Sequence, residues 1–250
     1  MPAYQQSISL SLIIPCYNEA GRIELLFKGL NDFAQQWQGP WEAIIVNDGS
    51  KDNTSALLKQ HPVYLNYINR IKIIDQQNTG KGGALRTGVM AAQGDHILTL
   101  DADMASAPTE LIKWIDLLAD HPDQNTIYIG SREHPDSNIT TIGNRKAAGN
   151  MFNLIVRTLT PLQMHDTQCG FKFYPTPLAK KYFSNLQTYG WAHDVELLYK
   201  ANLDKVSIKE MPLNWNAIDG SKINVLLDGI KMITEVLRIV IKTKYSYKNN

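Results

Sequence analysis

Over the first half of the chain, short apolar runs alternate with longer stretches of helical period, and turn residues mark each change. Residues 8–14, 43–46, 71–74, 96–100 and 127–129 have the length and β-branched content of buried strands. Between them, residues 22–35, 54–59, 82–92 and 108–118 place apolar side chains at helical spacing. This alternation predicts an α/β fold in one domain, with a mostly parallel central sheet flanked by helices on both faces. Ligands of such sheets bind beyond the C-terminal ends of the strands. Three polar clusters follow directly on strands and so should meet at that edge: residues 15–19, 47–50 and 101–103.

The second half is less regular. It predicts helices at 144–159, 177–184 and 193–201, a loop at 165–170 and a short strand at 171–174. From 224 to 241, Val225, Leu226, Ile230, Ile233, Leu237 and Ile241 form a helical stripe, and Lys242, Lys244 and Lys248 follow. This is an amphipathic C-terminal helix with a basic tail, suited to lie in a membrane interface or to pack on the protein's own core.

Among polar residues, Asp101-Ala102-Asp103 is the most informative group. Alternate residues of an extended segment point the same way, so both carboxylates can reach one cation, and hard oxygen ligands suit Mg²⁺ or Mn²⁺. Alternatively, Asp103 opens a turn before the next helix. Asp48, in Val46-Asn47-Asp48-Gly49-Ser50, follows another buried strand. It is placed either to accept from a nucleoside or to cap the helix that follows. In Asn78-Thr79-Gly80-Lys81-Gly82-Gly83-Ala84-Leu85-Arg86, the glycines allow close backbone approach, and Lys81 and Arg86 are candidate diphosphate contacts. Neither a P-loop nor a Gly-x-Gly-x-x-Gly fingerprint is present, and no His-Glu-x-x-His or Gly-x-Ser-x-Gly occurs. Kinase-like, dinucleotide-binding, zinc-hydrolase and serine-acyl readings lose their main support.

Charge and composition narrow the partners. The formal net charge is +1 over 250 residues. Residues 1–179 carry 14 Lys/Arg against 17 Asp/Glu, and residues 180–250 carry 11 against 7. That balance is far from the basic excess of a nucleic-acid binder, and it leaves a mildly cationic C-terminal part suited to an anionic group or surface. Cys16 and Cys169 form no disulfide framework, which fits a reducing compartment, and neither a signal peptide nor a spanning helix is expected. The expected location is cytoplasmic, with peripheral contact at the cytoplasmic membrane face.

Taken in order, Ile14-Pro15-Cys16-Tyr17-Asn18-Glu19, Val46-Asn47-Asp48-Gly49-Ser50, Gly80-Lys81-Gly82-Gly83-Ala84 and Asp101-Ala102-Asp103 resemble the family 2 glycosyltransferases. Gly130-Ser131-Arg132, Asn144-Arg145-Lys146 and Asp166-Thr167-Gln168-Cys169-Gly170-Phe171-Lys172 are similar to the polyprenyl-phosphate branch, and the last points toward its dolichyl-phosphate glucosyl members. The resemblance implies a glycosyltransferase A type fold over residues 1–242, with a nucleotide-sugar half (1–131), an acceptor half (132–223), the amphipathic helix (224–242) and a basic tail (243–250). It implies inverting transfer of a hexose, glucose from UDP-glucose before mannose from GDP-mannose, to a polyprenyl phosphate. Pro15, Tyr17, Glu19 and Asp48 would line the nucleoside pocket with Lys81 and Arg86 nearby. Asp101, Ala102 and Asp103 would meet the diphosphate, with Asp101 and Asp103 holding Mg²⁺ or Mn²⁺. Asp194, in His193-Asp194-Val195-Glu196, would be the acceptor-side base, or else a charge complementing the start of its helix. A phosphate acceptor is already an oxyanion near neutral pH and needs cationic positioning, for which Arg132, Arg145 and Lys222 are candidates. The rivals are a non-lipid acceptor, a nucleotidyltransferase releasing pyrophosphate, and a nucleotide-sugar-binding protein without catalysis.

Overall fold

The computed structural model describes residues 8–118, 122–140, 153–190, 192–217 and 225–248, and in the last stretch the side chains at 234–245 and 247. Parallel strands β1 (Leu10–Cys16), β2 (Trp41–Asp48), β3 (Ile71–Gln76) and β4 (His96–Thr99) alternate with helices α1 (Ile23–Gln36), α2 (Thr54–Gln60), α3 (Pro62–Asn66) and α4 (Lys81–Ala91). There follow α5 (Glu110–Leu117), β5 (Thr126–Gly130), β6 (Asn138–Thr140) and a helical segment, α6, at 153–159. The rest comprises β7 (Lys172–Pro175), α7 (Thr176–Ser184), α8 (His193–Leu203), β8 (Ser207–Met211), β9 (Asn214–Asn216) and α9 (Val225–Lys248).

The main sheet has the order β3-β2-β1-β4-β7-β5-β8, and β6 pairs with β9 apart from it. Only β7 runs against its neighbours in that sheet, so the sheet is mostly parallel as expected. Successive side chains of β1 go to opposite faces. Leu12 and Ile14 join Phe27, Phe33 and Trp114 under α1 and α5, whereas Ile13 joins Leu85, Val89 and Tyr199 on the α4 and α8 side. Both faces are therefore covered, which is why residues 12–14 of β1 and 43–46 of β2 are continuously apolar.

Most sequence boundaries fall within two residues of those observed. Four short elements, α3, β6, β8 and β9, lack a strong pattern. β8 (Ser-Ile-Lys-Glu-Met) lies at the sheet's end and is only partly buried, so it carries few apolar residues to reveal it. The expected helix at 144–159 is seen at 153–159, and its earlier part lies outside the described residues. The basic tail is not separate: α9 continues to Lys248.

Candidate donor and acceptor site

Sheet order brings the polar ends of β1, β2 and β4 to one edge, and the N-terminus of α4 joins them. The β1 loop is tied to the β2 loop, with Asn18 N–H donating to Ser50 Oγ at 2.9 Å and Lys51 N–H donating to Asn18 Oδ1 at 2.7 Å. Asn18 adopts φ +54°, a left-handed conformation that asparagine tolerates. Pro15 is half-buried, Tyr17 is exposed, and Glu19 pairs with Arg22 at 2.8 Å.

Asp48 is buried and serves the next loop. Its Oδ1 accepts from Thr79 N–H at 2.8 Å, Gln76 Nε2 at 2.7 Å and Thr79 Oγ1 at 3.1 Å, and its Oδ2 accepts from Gly80 N–H at 2.9 Å. Asp48 thus caps neither α2 nor α4 and instead ties down the loop that leads into α4. Gly80 has φ +89°, and a Cβ there would lie 2.6 Å from Tyr189 O, so this turn needs glycine on both counts. Asp48 and Gly80 together aim the start of α4, where Lys81 is the first residue.

Lys81 Nζ lies 2.5 Å from Asp101 Oδ1. Burial would lower the Lys81 pKa, but the charges of Asp101, Asp194 and Asp103 raise it above the ordinary value, so it remains an ammonium. Asp103 Oδ1 accepts from Ala105 N–H at 3.1 Å. Burial, and then the neighbouring Asp101 charge, push its carboxyl above the usual range. Asp103, whose charge is disfavoured by burial and by its neighbour, and Asp101 beside it offer the hard oxygen ligands that suit a divalent cation. Among the described residues no cluster of three such protein ligands occurs. A Mg²⁺ or Mn²⁺ ion here would complete its shell with diphosphate oxygens and water, as such ions commonly do. The expectation for Ala102 changes: its methyl group belongs to the core under α1, so only its backbone faces the site. Arg86 Nε is buried without a hydrogen-bond partner among the described residues.

The candidate acceptor residues gather around the loop before β7. Gly170 packs directly on the Asp101 carboxylate, where an added Cβ would lie 2.5 Å from Oδ2 and 2.8 Å from Oδ1. Thr99 Oγ1 donates to Gly170 O at 2.9 Å and holds this contact in place. Arg132 forks onto the buried Asp166, with Nε to Oδ2 at 2.7 Å and Nη2 to Oδ1 at 2.9 Å, and its guanidinium lies 5.6 Å from the Trp215 ring centre. Burial would raise Asp166, but the Arg132 charge and hydrogen bonds hold it below the usual carboxylate range. Arg145 and Lys222 lie outside the described residues.

Asp194 is in the first turn of α8 and only 5% exposed. Its Oδ1 accepts from Lys172 Nζ at 2.6 Å and lies 3.5 Å from His193 Nε2. Burial would raise its carboxyl, yet the charges of His193, Lys172 and Lys81 hold it below the ordinary value. A carboxylate so held is a weaker base than an ordinary one, and its geometry is that of an anchor for cations. Lys172 is the residue that sequence reasoning missed. It is 1% exposed and also donates to Cys169 O, linking Asp194 to the Gly170 loop. The signal was a lysine between Phe171 and Phe173 in a strand that is buried throughout. Burial pushes the Cys169 thiol up to about 11, which leaves it un-ionised.

The family model for glycosyl transferase family 2 matches residues 11–183. A dolichyl-phosphate beta-glucosyltransferase of Saccharomyces cerevisiae is 35% identical over 255 residues, covering 96% of this chain and 76% of the yeast protein. The protein of the same name from Homo sapiens is 33% identical, covering 92% and 74%. Among solved structures, glucosyl-3-phosphoglycerate synthase of Mycobacterium tuberculosis in complex with Mn²⁺, UDP and glucosyl-3-phosphoglycerate gives a TM-score of 0.66 at 16% identity, covering 97% of this chain and 85% of that one. The fold is of the glycosyltransferase A type.

Proposed function

Because the chain belongs to glycosyl transferase family 2 and is a glycosyltransferase, we propose that it transfers glucose from UDP-glucose to a polyprenyl phosphate in one inverting, metal-dependent step. One observation carries this reading: the Asp101–Asp103 pair and its ammonium neighbour Lys81 lie directly against the Gly170 loop, whose own strand and partners supply Arg132, Lys172 and Asp194. On this reading a diphosphate-holding edge adjoins an acceptor side. The names of the relatives supply the sugar and the lipid phosphate.

When bound, Mg²⁺ or Mn²⁺ supplies positive charge to the diphosphate oxygens as they become the leaving group. Asp101 and Asp103 would hold it, and Arg86, five residues after Lys81 in the sequence, is the further candidate contact to the diphosphate. Arg132, oriented by Asp166, steers the acceptor phosphate. That phosphate, with a second pKa of about 6, arrives largely ionised. Its oxygen attacks the anomeric carbon, the bond from that carbon to the β-phosphate oxygen breaks, and UDP leaves. An α-linked donor yields a β-linked product. No proton has to be removed in this step, so the lowered basicity of Asp194 is no obstacle. Asp194→Asn is expected to reduce turnover more than donor affinity, because it loosens Lys172 and Lys81; steady-state kinetics beside UDP-glucose calorimetry measures the split.

The donor is tested by offering UDP-glucose and GDP-mannose in parallel with a polyprenyl phosphate and determining the product's sugar and anomer. Glucose in β linkage is expected. Mannose, or an α-linked product, would overturn the donor or the inversion respectively.

A lipid acceptor also assigns α9 a role at the bilayer. Val236, Ile239 and Thr243 are buried against the protein, while Leu237, Ile241 and Tyr245 are 41%, 68% and 73% exposed at intervals of four residues. Of the stripe read from the sequence, Leu237 and Ile241 are the members whose side chains are described, and both are exposed; the face that packs on the core carries Val236, Ile239 and Thr243 instead. Exposed Arg238, Lys242 and Lys244 flank the open side. Among the described residues no helix is long and apolar enough to cross a membrane. Each basic residue near an anionic surface adds about 1 kcal/mol, which predicts salt-sensitive peripheral binding. Cosedimentation with anionic vesicles is expected to fall at high salt and to be lost in a Leu237→Ser, Ile241→Ser double variant.

A further inference from the structure

We propose that Lys81 is the resident counter-cation of the Asp101–Asp103 pair, and that a divalent cation binds by exchanging with its ammonium at Asp101. The inference rests on the reading of these two carboxylates as the metal and diphosphate ligands. It goes beyond that reading by giving the apoprotein its own occupant of the site.

Lys81 sits where a cation is not otherwise expected. It is the first residue of α4, and the unpaired N–H groups of a helix start make that end partially positive. The preceding Gly80 offers no side-chain cap. What holds the ammonium there is the carboxylate of Asp101 at 2.5 Å, with the charge of Asp194 adding to the attraction. Asp194 is fixed in turn by Lys172.

Exposure sets the direction of the exchange. The Lys81 side chain is 16% exposed, whereas that of Asp101 is 41% exposed. The lysine therefore meets the carboxylate from inside, and a cation from solvent meets it from outside. Gly170 closes a further side of Asp101, so the incoming ion has little freedom to pair with Asp101 while Lys81 keeps its contact. Once displaced, Lys81 still feels the charge of Asp194. Its ammonium is then available to anionic ligand oxygens.

Two consequences follow. The cation alone binds weakly, because it must replace an existing ion pair. The nucleoside diphosphate strengthens cation binding, because it takes up the displaced ammonium, and by linkage the cation strengthens nucleotide binding by the same factor.

Titration of Mn²⁺ followed by electron paramagnetic resonance of the free ion, without and with UDP, tests the exchange without any turnover. Lys81→Met removes the charge at nearly constant length and is expected to bind Mn²⁺ alone about tenfold more tightly than the wild type, the usual scale for one opposite charge in contact. UDP should then tighten Mn²⁺ binding less than it does in the wild type. Lys81→Arg should behave as the wild type. Lys81→Gln gives the same comparison if the methionine variant melts early. Unchanged or weaker Mn²⁺ affinity in a folded neutral variant overturns the exchange. Asp101→Asn separates the two ideas: if it binds Mn²⁺ as the wild type does, the metal reading itself fails and the exchange fails with it.

Discussion

Gly170→Ala is expected to lower kcat/KM by about 100-fold while leaving the protein folded, because it moves a carboxylate that must be held within a fraction of an ångström. A methyl group at this position would lie 2.5–2.8 Å from the Asp101 carboxyl atoms. One of the two partners must give way. The loop is restrained by Thr99 Oγ1 on Gly170 O, by Gly130 N–H on Phe171 O at 2.9 Å, by Lys172 on Cys169 O and by the Arg132 fork on Asp166. Asp101 is a partly exposed side chain and yields more easily. Its displacement costs the fold only about 0.5–1.5 kcal/mol, the scale of an off-rotamer side chain. Kinetics should therefore change far more than the melting temperature. Near-normal turnover in Gly170→Ala would remove Asp101 from the donor site.

Lys172→Met should have the largest effect on stability, a loss of about 3–5 kcal/mol, the usual result of stripping one partner from a buried ion pair. The lysine is 1% exposed and divides its ammonium between Asp194 and Cys169 O. Without it, Asp194 keeps its burial but loses its closest counter-charge, and the Cys169 carbonyl loses a donor. For a chain of this size the melting temperature should fall by about 10 °C. The companion variant Lys172→Met with Asp194→Leu removes both charges and should recover part of the loss, since paired apolar replacements are often tolerated. A double variant no more stable than the single one would show that the pair does not account for the loss.

The parts of this molecule that were legible in its sequence are those in which burial leaves a pattern. β1, β2 and β4 are apolar because both faces of the sheet are covered, and the carboxylates that follow them stand out against those runs. Asp101 and Asp103 stood out in this way and Lys81 through the glycines around it, and the structure brings the three together. Asp48 was found, but its four hydrogen bonds go to Gln76, Thr79 and Gly80, so it shapes the loop before α4. Nothing in the sequence could distinguish a carboxylate that binds its own backbone from one that faces a ligand. The Lys172–Asp194 pair was hidden for a related reason. Its residues lie 22 positions apart, and only the antiparallel insertion of β7 between β4 and β5 sets the start of α8 beside the sheet's centre. α9 shows the limit of periodicity: the spacing revealed an apolar stripe, and only packing showed that Val236 and Ile239 are covered while Leu237 and Ile241 are exposed.

The central claim is transfer of a sugar from a metal-held nucleoside diphosphate to a phosphate oxygen, and ³¹P nuclear magnetic resonance follows every phosphorus atom in that reaction at once. With UDP-glucose, Mg²⁺ and a short-chain polyprenyl phosphate, the account predicts that UDP signals appear as the acceptor's monoester signal is replaced, one for one, by a phosphodiester signal. Both changes should be absent with EDTA and in the Asp103→Ala variant. Release of pyrophosphate, or UDP formation with the acceptor's monoester unchanged, would contradict it.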